Sequence, residues 1–295
     1  MSDEKISNTV ASDEWRVTRK QEEMLTGTYS PLTTHHSPLL GEIRAGSLEV
    51  FVAGRSEDIE ASQALRYRVF FEEMGAPPTA EIKSAKRDMD AFDAVCDHLL
   101  VVEHQPDGSV RVVGTYRLLR RDMMKKIGRF YTAGEYDIGR IQQYAGEILE
   151  VGRSCVDPEF RNRAVMQLLW RGIGAYVARF DIGLMFGCAS FFGTDPKQHA
   201  LPLAYLHHYH LAPEELRMTA LPERYVEMNL LPKDAVDEKE AFALLPALIK
   251  GYLRLGGTIG SGAVIDPEYN TTDVSIVVKT DLVTEKYFQR YGKGN

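Results

Sequence analysis

The sequence predicts a mixed α/β domain in which a central sheet is flanked by helices. Three observations carry this. Short apolar runs and amphipathic stretches follow one another in the order strand, helix, hairpin, strand, helix, strand, which suits one layered domain rather than a bundle or a sandwich. The segment Gln105-Pro106-Asp107-Gly108-Ser109 sits between two β-rich runs and has strong hairpin chemistry. With 295 residues, 44% apolar and 26% charged, the chain is long enough to bury a substantial core.

Residues 1–40 carry Ser, Thr, Glu, Lys and paired histidines without periodicity and read as a flexible tail. Leu48–Val52 is a short strand. Ser56 is expected to cap a helix whose first turn holds Glu57 and Asp58, where the helix dipole favours anions. That helix is expected to run to about Met74 and to end at Gly75, with Pro77-Pro78 beyond, and Ala61, Leu65 and Val69 mark its core face. His98–Glu103 and Val110–Leu119 are the two hairpin strands. Ile148–Val156 is a strand stopped by Asp157-Pro158, and a helix follows from about Arg163 to Phe180. Its apolar face is Val165, Leu168, Leu169, Ile173, Tyr176 and Val177. Leu184–Ala189 reads as a buried strand. Thr194 or Asp195 caps a helix with Pro196 at its first position. Residues 237–255 read as one helix closing at Gly256-Gly257, residues 258–265 and 273–280 as strands, and Tyr287–Tyr291 as an aromatic tail. The organisation expected is a tail over 1–40 and one domain over 41–295, with a C-terminal extension from about 195.

Composition excludes several classes of function. A net charge of −7 argues against a general nucleic-acid binder. Cys96, Cys155 and Cys188 form no CxxC pair, so neither a zinc site nor a redox pair is suggested, and a reducing cytoplasm is the expected setting. No apolar run reaches the roughly 18 residues of a membrane span. MSDEKISNTVASDEW lacks a signal-peptide core. Any membrane contact is therefore expected to be peripheral, from the cytoplasmic face.

The most informative segment is Glu150–Arg163. In a regular strand Glu150 and Arg153 face opposite sides. Gly152 between them makes a bulge plausible, and bulges re-aim side chains beside active sites; the alternative is an ordinary strand with a polar solvent face. The helix start after Pro158 offers free backbone N–H groups together with Arg161 and Arg163, a fair anion site, or merely a solvated turn. Arg66 and Phe70 stand at i and i+4 on the first helix and share a face. Asp90 and Asp93 have the local look of turn residues. Between Arg117 and Arg129 the chain carries six cations against one acid, either a docking face for an acidic partner or membrane, or a solvated surface. His207, His208 and His210 lack the spacing of paired ligands, and no metal is predicted. Gly256–Gly262 lacks a phosphate-loop ending and reads as a close-packed turn. Ser154 and Cys155 show no nucleophile motif.

Taken together, Leu65–Phe70, Asp90/Asp93, Gly114–Leu118, Glu150–Ser154, Met185–Asp195 and Lys250–Gly256 resemble the GNAT-fold acyltransferases. Within them the likeness is to bacterial L-ornithine Nα-acyltransferases, also described as haemolysin-like, over roughly residues 48–292. The same positions are similar to acyl-homoserine-lactone synthases, in which an Arg and an aromatic on the first helix, paired acids and a strand Glu…Arg line the site. The resemblance implies a GNAT-like fold. It implies catalytic roles for Glu150, Arg153, Asp90 and Asp93, and donor-binding roles for Arg66, Phe70, Arg161 and Arg163. Where acyl-CoA-dependent relatives read Gln/Arg-x-x-Gly-x-Gly, this chain has Arg161-Asn162-Arg163-Ala164-Val165-Met166, and the missing glycines crowd close approach to a pyrophosphate.

The implied donor is therefore acyl carrier protein, reaching in with its 4'-phosphopantetheine arm, and no cofactor is expected to be bound permanently. The implied acceptor is L-ornithine, whose α-amine loses a proton to Glu150 and attacks a 3-hydroxyacyl thioester to give lyso-ornithine lipid. Arg66 and the stretch near Arg121, Lys125 and Lys126 are expected to meet the acidic carrier. The alternatives are a lactone synthase using S-adenosylmethionine and a haemolysin-like protein without catalysis.

Overall fold

The structure is a computed structural model and describes residues 39–281. The flexible-tail expectation for residues 1–38 and the aromatic tail at 287–291 lie outside the described residues. In chain order the elements are β1 (Ile43–Ala45), β2 (Leu48–Val52), α1 (Ser56–Tyr67), α2 (Ala80–Ala85), β3 (Asp97–His104), β4 (Val110–Arg120) and α3 (Arg121–Ile127). There follow β5 (Tyr136–Asp137), α4 (Gly139–Gln142), β6 (Glu147–Val156), α5 (Arg163–Arg179), β7 (Ile182–Phe192) and α6 (Ala200–Tyr209). The remainder is β8 (Thr219–Ala220), β9 (Tyr225–Val226), α7 (Glu238–Leu244), α8 (Ala247–Arg254), β10 (Thr258–Asp266) and β11 (Thr271–Lys279). The strands make one sheet in the order β1-β2-β3-β4-β6-β7-β11-β10-β8-β5, with β9 also against β10.

The period of two along β3 decides which helix lies on which face. Leu99 and Val101 point to the side covered by α5, where they meet Val165, Leu169 and Ile173. Leu100 and Val102 point to the other side, onto Ala61 and Leu65 of α1 and Val69 just beyond it. Close approach of α5 depends on Gly172, where an added Cβ would lie 2.8 Å from Val50 and 2.9 Å from Leu99.

Two irregularities position the site. β6 and β7 run parallel, and their pairing stops at Glu150 opposite Phe186. On its other edge β6 carries one extra residue against β4: Cys155 pairs with Thr115 and Gly152 with Arg117, so Arg153 and Ser154 together oppose Tyr116. Arg153 takes a left-handed φ of 50° there. This is the bulge that Gly152 suggested.

Several expectations are corrected. The first helix begins after Arg55, and the Asp58 carboxylate accepts from the N–H groups of Gly54 and Arg55, so Ser56 lies inside the helix. After Tyr67 the chain widens into a π-helical stretch, Arg68–Glu73. The expected helix over 237–255 is two helices, because Pro246 cannot continue α7 and instead precedes the first turn of α8. Gly260 and Gly262 lie inside β10 at a bulge rather than in a turn. The segment beyond residue 195, expected as a C-terminal extension of the domain, continues the same sheet: β11 pairs with β7 along Thr271–Lys279 and leads on to β10.

Gly187 provides a test of the opening between β6 and β7. A Cβ there would sit 2.2 Å from the Val151 carbonyl oxygen, a backbone atom that cannot swing aside. Gly187→Ala is expected to destabilise the fold by about 2–3 kcal/mol, whereas Gly174→Ala, with open space around it on α5, is neutral or slightly stabilising. Thermal unfolding of both variants measures the difference.

Candidate active site

Where β6 and β7 part, the sheet opens into a cavity of about 530 Å³, within the usual size of a small-molecule site. It is lined from both faces of the sheet. Tyr116, Val151, Met166 and Tyr252 line it from the α5 side, and Arg117, Glu150 and Asp273 from the opposite side. Val69 and Phe70 on the π-helical stretch, Met74 just after it, and Pro246, Ala247 and Leu248 at the start of α8 add apolar wall.

Beneath this wall lies a lattice of three arginines and three aspartates. Arg66 Nε donates to Asp88 at 2.7 Å, and its terminal nitrogen grips both Asp93 oxygens at 2.9 and 2.8 Å. Arg117 donates to Asp90 at 2.6 Å and to Asp93 at 3.1 Å. Arg153 reaches Asp88 at 3.2 Å and Asp90 at 3.3 Å, and the Tyr269 hydroxyl at 2.7 Å. Its guanidinium stacks over Tyr131 and Tyr269. Burial alone would raise the carboxyls of Asp88 and Asp93, but the adjacent arginines (Arg153 and Arg66 for Asp88, Arg66 and Arg117 for Asp93) win and hold both below the ordinary range. Asp90 and Asp93 are also local turn residues, since each accepts from a backbone N–H within the turn.

The expected site residues thus separate into two sets. Glu150 and Arg153 line the cavity, brought together by the bulge, and Phe70 lines it too. Asp90 and Asp93 stand behind that surface and hold its arginines. Arg66 is 1% exposed, with its Nε on Asp88 and one terminal nitrogen on Asp93, so it has no surface with which to meet a carrier protein. The expectation of a docking role for Arg66 is corrected on that ground.

Glu150 is buried, and its carboxylate accepts from the N–H groups of Tyr131 at 2.8 Å and Thr132 at 2.6 Å. Burial raises its proton affinity, and those donors oppose the rise without cancelling it. The result is a fixed carboxyl that is a better base than an exposed glutamate. All three cysteines line the cavity, yet burial pushes Cys96 up to about 12 and Cys155 and Cys188 still higher, so none is poised as a thiolate.

On the donor side, Arg161 lies at the cavity wall but forms a two-point ion pair with Glu73, 2.6 Å at each contact. Arg163 is exposed on the first turn of α5, away from the cavity. The free N–H groups expected at this helix start are partly taken: the Asn162 side chain accepts from Ala164 at 3.0 Å and Val165 at 3.2 Å. The basic stretch is also partly internal. Arg117 is in the buried lattice, Arg120 pairs with Asp97, and Arg121 clamps the carbonyls of Gln142, Tyr144 and Gly146. Lys125, Lys126 and Arg129 face outward.

A second acidic group escaped the sequence reading. Glu135 before β5, Asp266 at the end of β10 and Asp273 on β11 bring carboxylate oxygens within 4.8 Å of one another, all buried. Burial, with the neighbouring Asp273, raises the Glu135 carboxyl to about 7, and burial raises Asp273 to about 6. Tyr131, Thr132 and Tyr269 were likewise missed. The available signal was an acid within a β-rich run, Thr272-Asp273-Val274, an unusual place for a carboxylate to be buried.

Comparison with known proteins places this geometry. Residues 65–171 match the family described as "Acetyltransferase (GNAT) domain". A protein of Brucella abortus named L-ornithine N(alpha)-acyltransferase is 47% identical over 84% of this chain and 90% of its own length. Its namesake in Rhizobium meliloti is 45% identical over 87% of each chain, and that of Agrobacterium fabrum 46% over 84% and 86%. Among solved structures, an N-acyl amino acid synthase from uncultured soil microbes aligns at 10% identity and a TM-score of 0.45 over 83% of this chain and 95% of that one. With identities this high over nearly the whole length of those relatives, the chain belongs to the L-ornithine Nα-acyltransferase family of GNAT-domain acyltransferases.

Proposed function

We propose that this acyltransferase moves a 3-hydroxyacyl group from acyl carrier protein to the α-amine of L-ornithine, giving lyso-ornithine lipid and free carrier. The observation that carries the reading is Glu150. It is a buried carboxyl with raised proton affinity, held by two backbone donors in a cavity that opens between β6 and β7. The ammonium of the acceptor gives a proton to the Glu150 carboxylate. The neutral amine attacks the thioester carbonyl, the C–N bond forms and the C–S bond breaks; the proton that the nitrogen loses on becoming an amide passes to the departing sulfur, and Glu150 returns its own proton to solvent. Backbone N–H groups on β6 beyond Glu150, where pairing with β7 has ended, are the donors assigned to the developing oxyanion. Much of the rate comes from holding amine and thioester in line. The cysteines, kept as thiols, are spectators.

A carrier-bound phosphopantetheine arm is favoured over free CoA as donor, because the start of α5 offers little to a pyrophosphate. Asn162 already takes two of its N–H groups and Arg161 is paired with Glu73. Lys125, Lys126 and Arg129 are the outward cations available to an acidic carrier. Among the described residues no helix is long and apolar enough to cross a membrane. Contact with the inner membrane, where the product would be delivered, is assigned to the protein surface.

Purified protein is expected to form acyl-ornithine from 3-hydroxyacyl carrier protein and far less from the matching acyl-CoA, with S-adenosylmethionine inert as acceptor. Glu150→Gln keeps an acceptor oxygen for only one of the Tyr131 and Thr132 N–H groups, which bind different oxygens of Glu150, and removes the base; in protein whose folding is checked by thermal unfolding, it is expected to lower kcat at least tenfold, about 1.4 kcal/mol of barrier. Equal use of both donors removes the carrier from the reading, and full activity of the variant removes the base. Replacing Lys125 and Lys126 together by Glu is expected to raise KM for the carrier substrate at low salt and to leave KM for ornithine alone.

A further inference from the structure

We infer that Glu135, Asp266 and Asp273 form a subsite for the side-chain ammonium of the acceptor amino acid, selecting which amino acid enters and which of its amines meets Glu150. The inference rests on the acyl-transfer reading of this cavity. It starts from an imbalance of charge. In the lattice behind the cavity, three aspartates face three arginines. The second trio has no such partners. The two arginines whose fields reach it are committed elsewhere, Arg153 to Asp88, Asp90 and Tyr269, and Arg224 to the carbonyls of Gly134 and Ile265. Asp266 Oδ1 is occupied by the N–H groups of Glu268 and Tyr269.

The observation that points to a ligand is Asp273. It is 6% exposed, it lines the cavity, and its Oδ1 has no hydrogen-bond partner. A buried acceptor oxygen left without a donor is costly in the empty protein, and a ligand that brings N–H donors removes that cost. Three converging carboxylates call for a cation, and an alkylammonium supplies three donors and one positive charge.

The placement suits an amino acid with an amine at each end. Asp273 and Glu150 project from the same face of the sheet into one cavity. Between the trio and the base lie Thr132, whose N–H holds Glu150 at 2.6 Å, and Cys188, whose sulfur is 3.2 Å from Glu135 and 3.9 Å from the Thr132 hydroxyl. An amine anchored at the trio cannot also occupy the base, so the α-amine is the one presented for attack. Until the ammonium arrives, a shared proton relieves the repulsion, in keeping with the raised carboxyls of Glu135 and Asp273.

The test compares ornithine with norvaline, which keeps the carbon chain and α-amine but lacks the terminal amine, using the full chain and acyl carrier thioester. Wild type is expected to prefer ornithine at least a hundredfold in kcat/KM. Asp273→Asn is expected to lose at least tenfold on ornithine, mainly in KM, with norvaline unaffected and Tm no lower, since one of three repelling charges is gone. Asp266→Asn is read in the same way should the first variant fold poorly. Loss on both acceptors alike, or no preference in wild type, overturns the subsite while leaving the transfer reaction standing. A rise in Tm with magnesium or calcium that Asp273→Asn abolishes, with the acceptor preference unchanged, makes the trio a metal site and also overturns it. If wild type acylates neither amino acid, the transfer reaction itself fails and the subsite falls with it.

Discussion

The rest of this structure depends on the buried pairing of Arg66, Arg117 and Arg153 with Asp88, Asp90 and Asp93. Arg66 comes from α1, Arg117 from β4, Arg153 from the bulge in β6, and the aspartates from the turn before β3. One lattice therefore ties the helix on one face of the sheet to β4 and to β6, the strand at the edge of the opening. Three charges of each sign make it neutral, which is what allows it to be buried; removing one member of such a network costs about 3–5 kcal/mol. It also explains how Arg153, which has a β-carbon, stays at a φ of 50°. Contacts with Asp88, Asp90 and Tyr269 and the flanking rings of Tyr131 and Tyr269 fix its side chain, and that fixes the backbone beneath it.

The roles proposed above for the base and the ammonium subsite fall to acids that this lattice leaves out. Glu150 has no arginine in contact with its carboxylate; burial raises its proton affinity, and the Thr132 and Tyr131 donors and the field of Arg117 do not cancel the rise. Glu135, Asp266 and Asp273 likewise lack an arginine in contact, and one oxygen of Asp273 has no hydrogen-bond partner. Seven carboxyls thus divide by their partners: Asp88 and Asp93 are held charged as parts of the frame, with Asp90 paired beside them, whereas Glu150, Asp266 and Asp273 line the cavity, with Glu135 buried against the last two. Environments that push chemically similar groups apart are how one site obtains both structural and reactive acids.

Much of the fold was legible because it rests on local periodicity. The alternation along Leu99–Val102, the apolar face of Val165–Val177 and the Gly152 break in β6 each have a local cause, and each became the element expected. The misplacements have physical causes too. Arg66 looked like a surface cation because helical spacing says nothing of partners 22 and 27 residues away. Asp90 and Asp93 looked like turn residues and are, but the same carboxylates also bind arginines on β4 and β6, a double duty that no local pattern reveals. Pro246 was visible, and the periodicity on either side of it outweighed its meaning. The acidic trio joins a loop before β5 to two strands near the end of the domain, so only the sheet order β7-β11-β10 brings it into being.

A double-mutant cycle on Arg66 and Asp93, followed by denaturant unfolding, tests most directly whether the lattice holds the site together. Arg66→Met and Asp93→Asn are each expected to cost about 3–5 kcal/mol. The double variant should cost little more than the worse single one, a coupling of about 2 kcal/mol or more. Single losses below about 1 kcal/mol, or losses that simply add, would contradict the claim and make the lattice a passenger of a fold held by its apolar core.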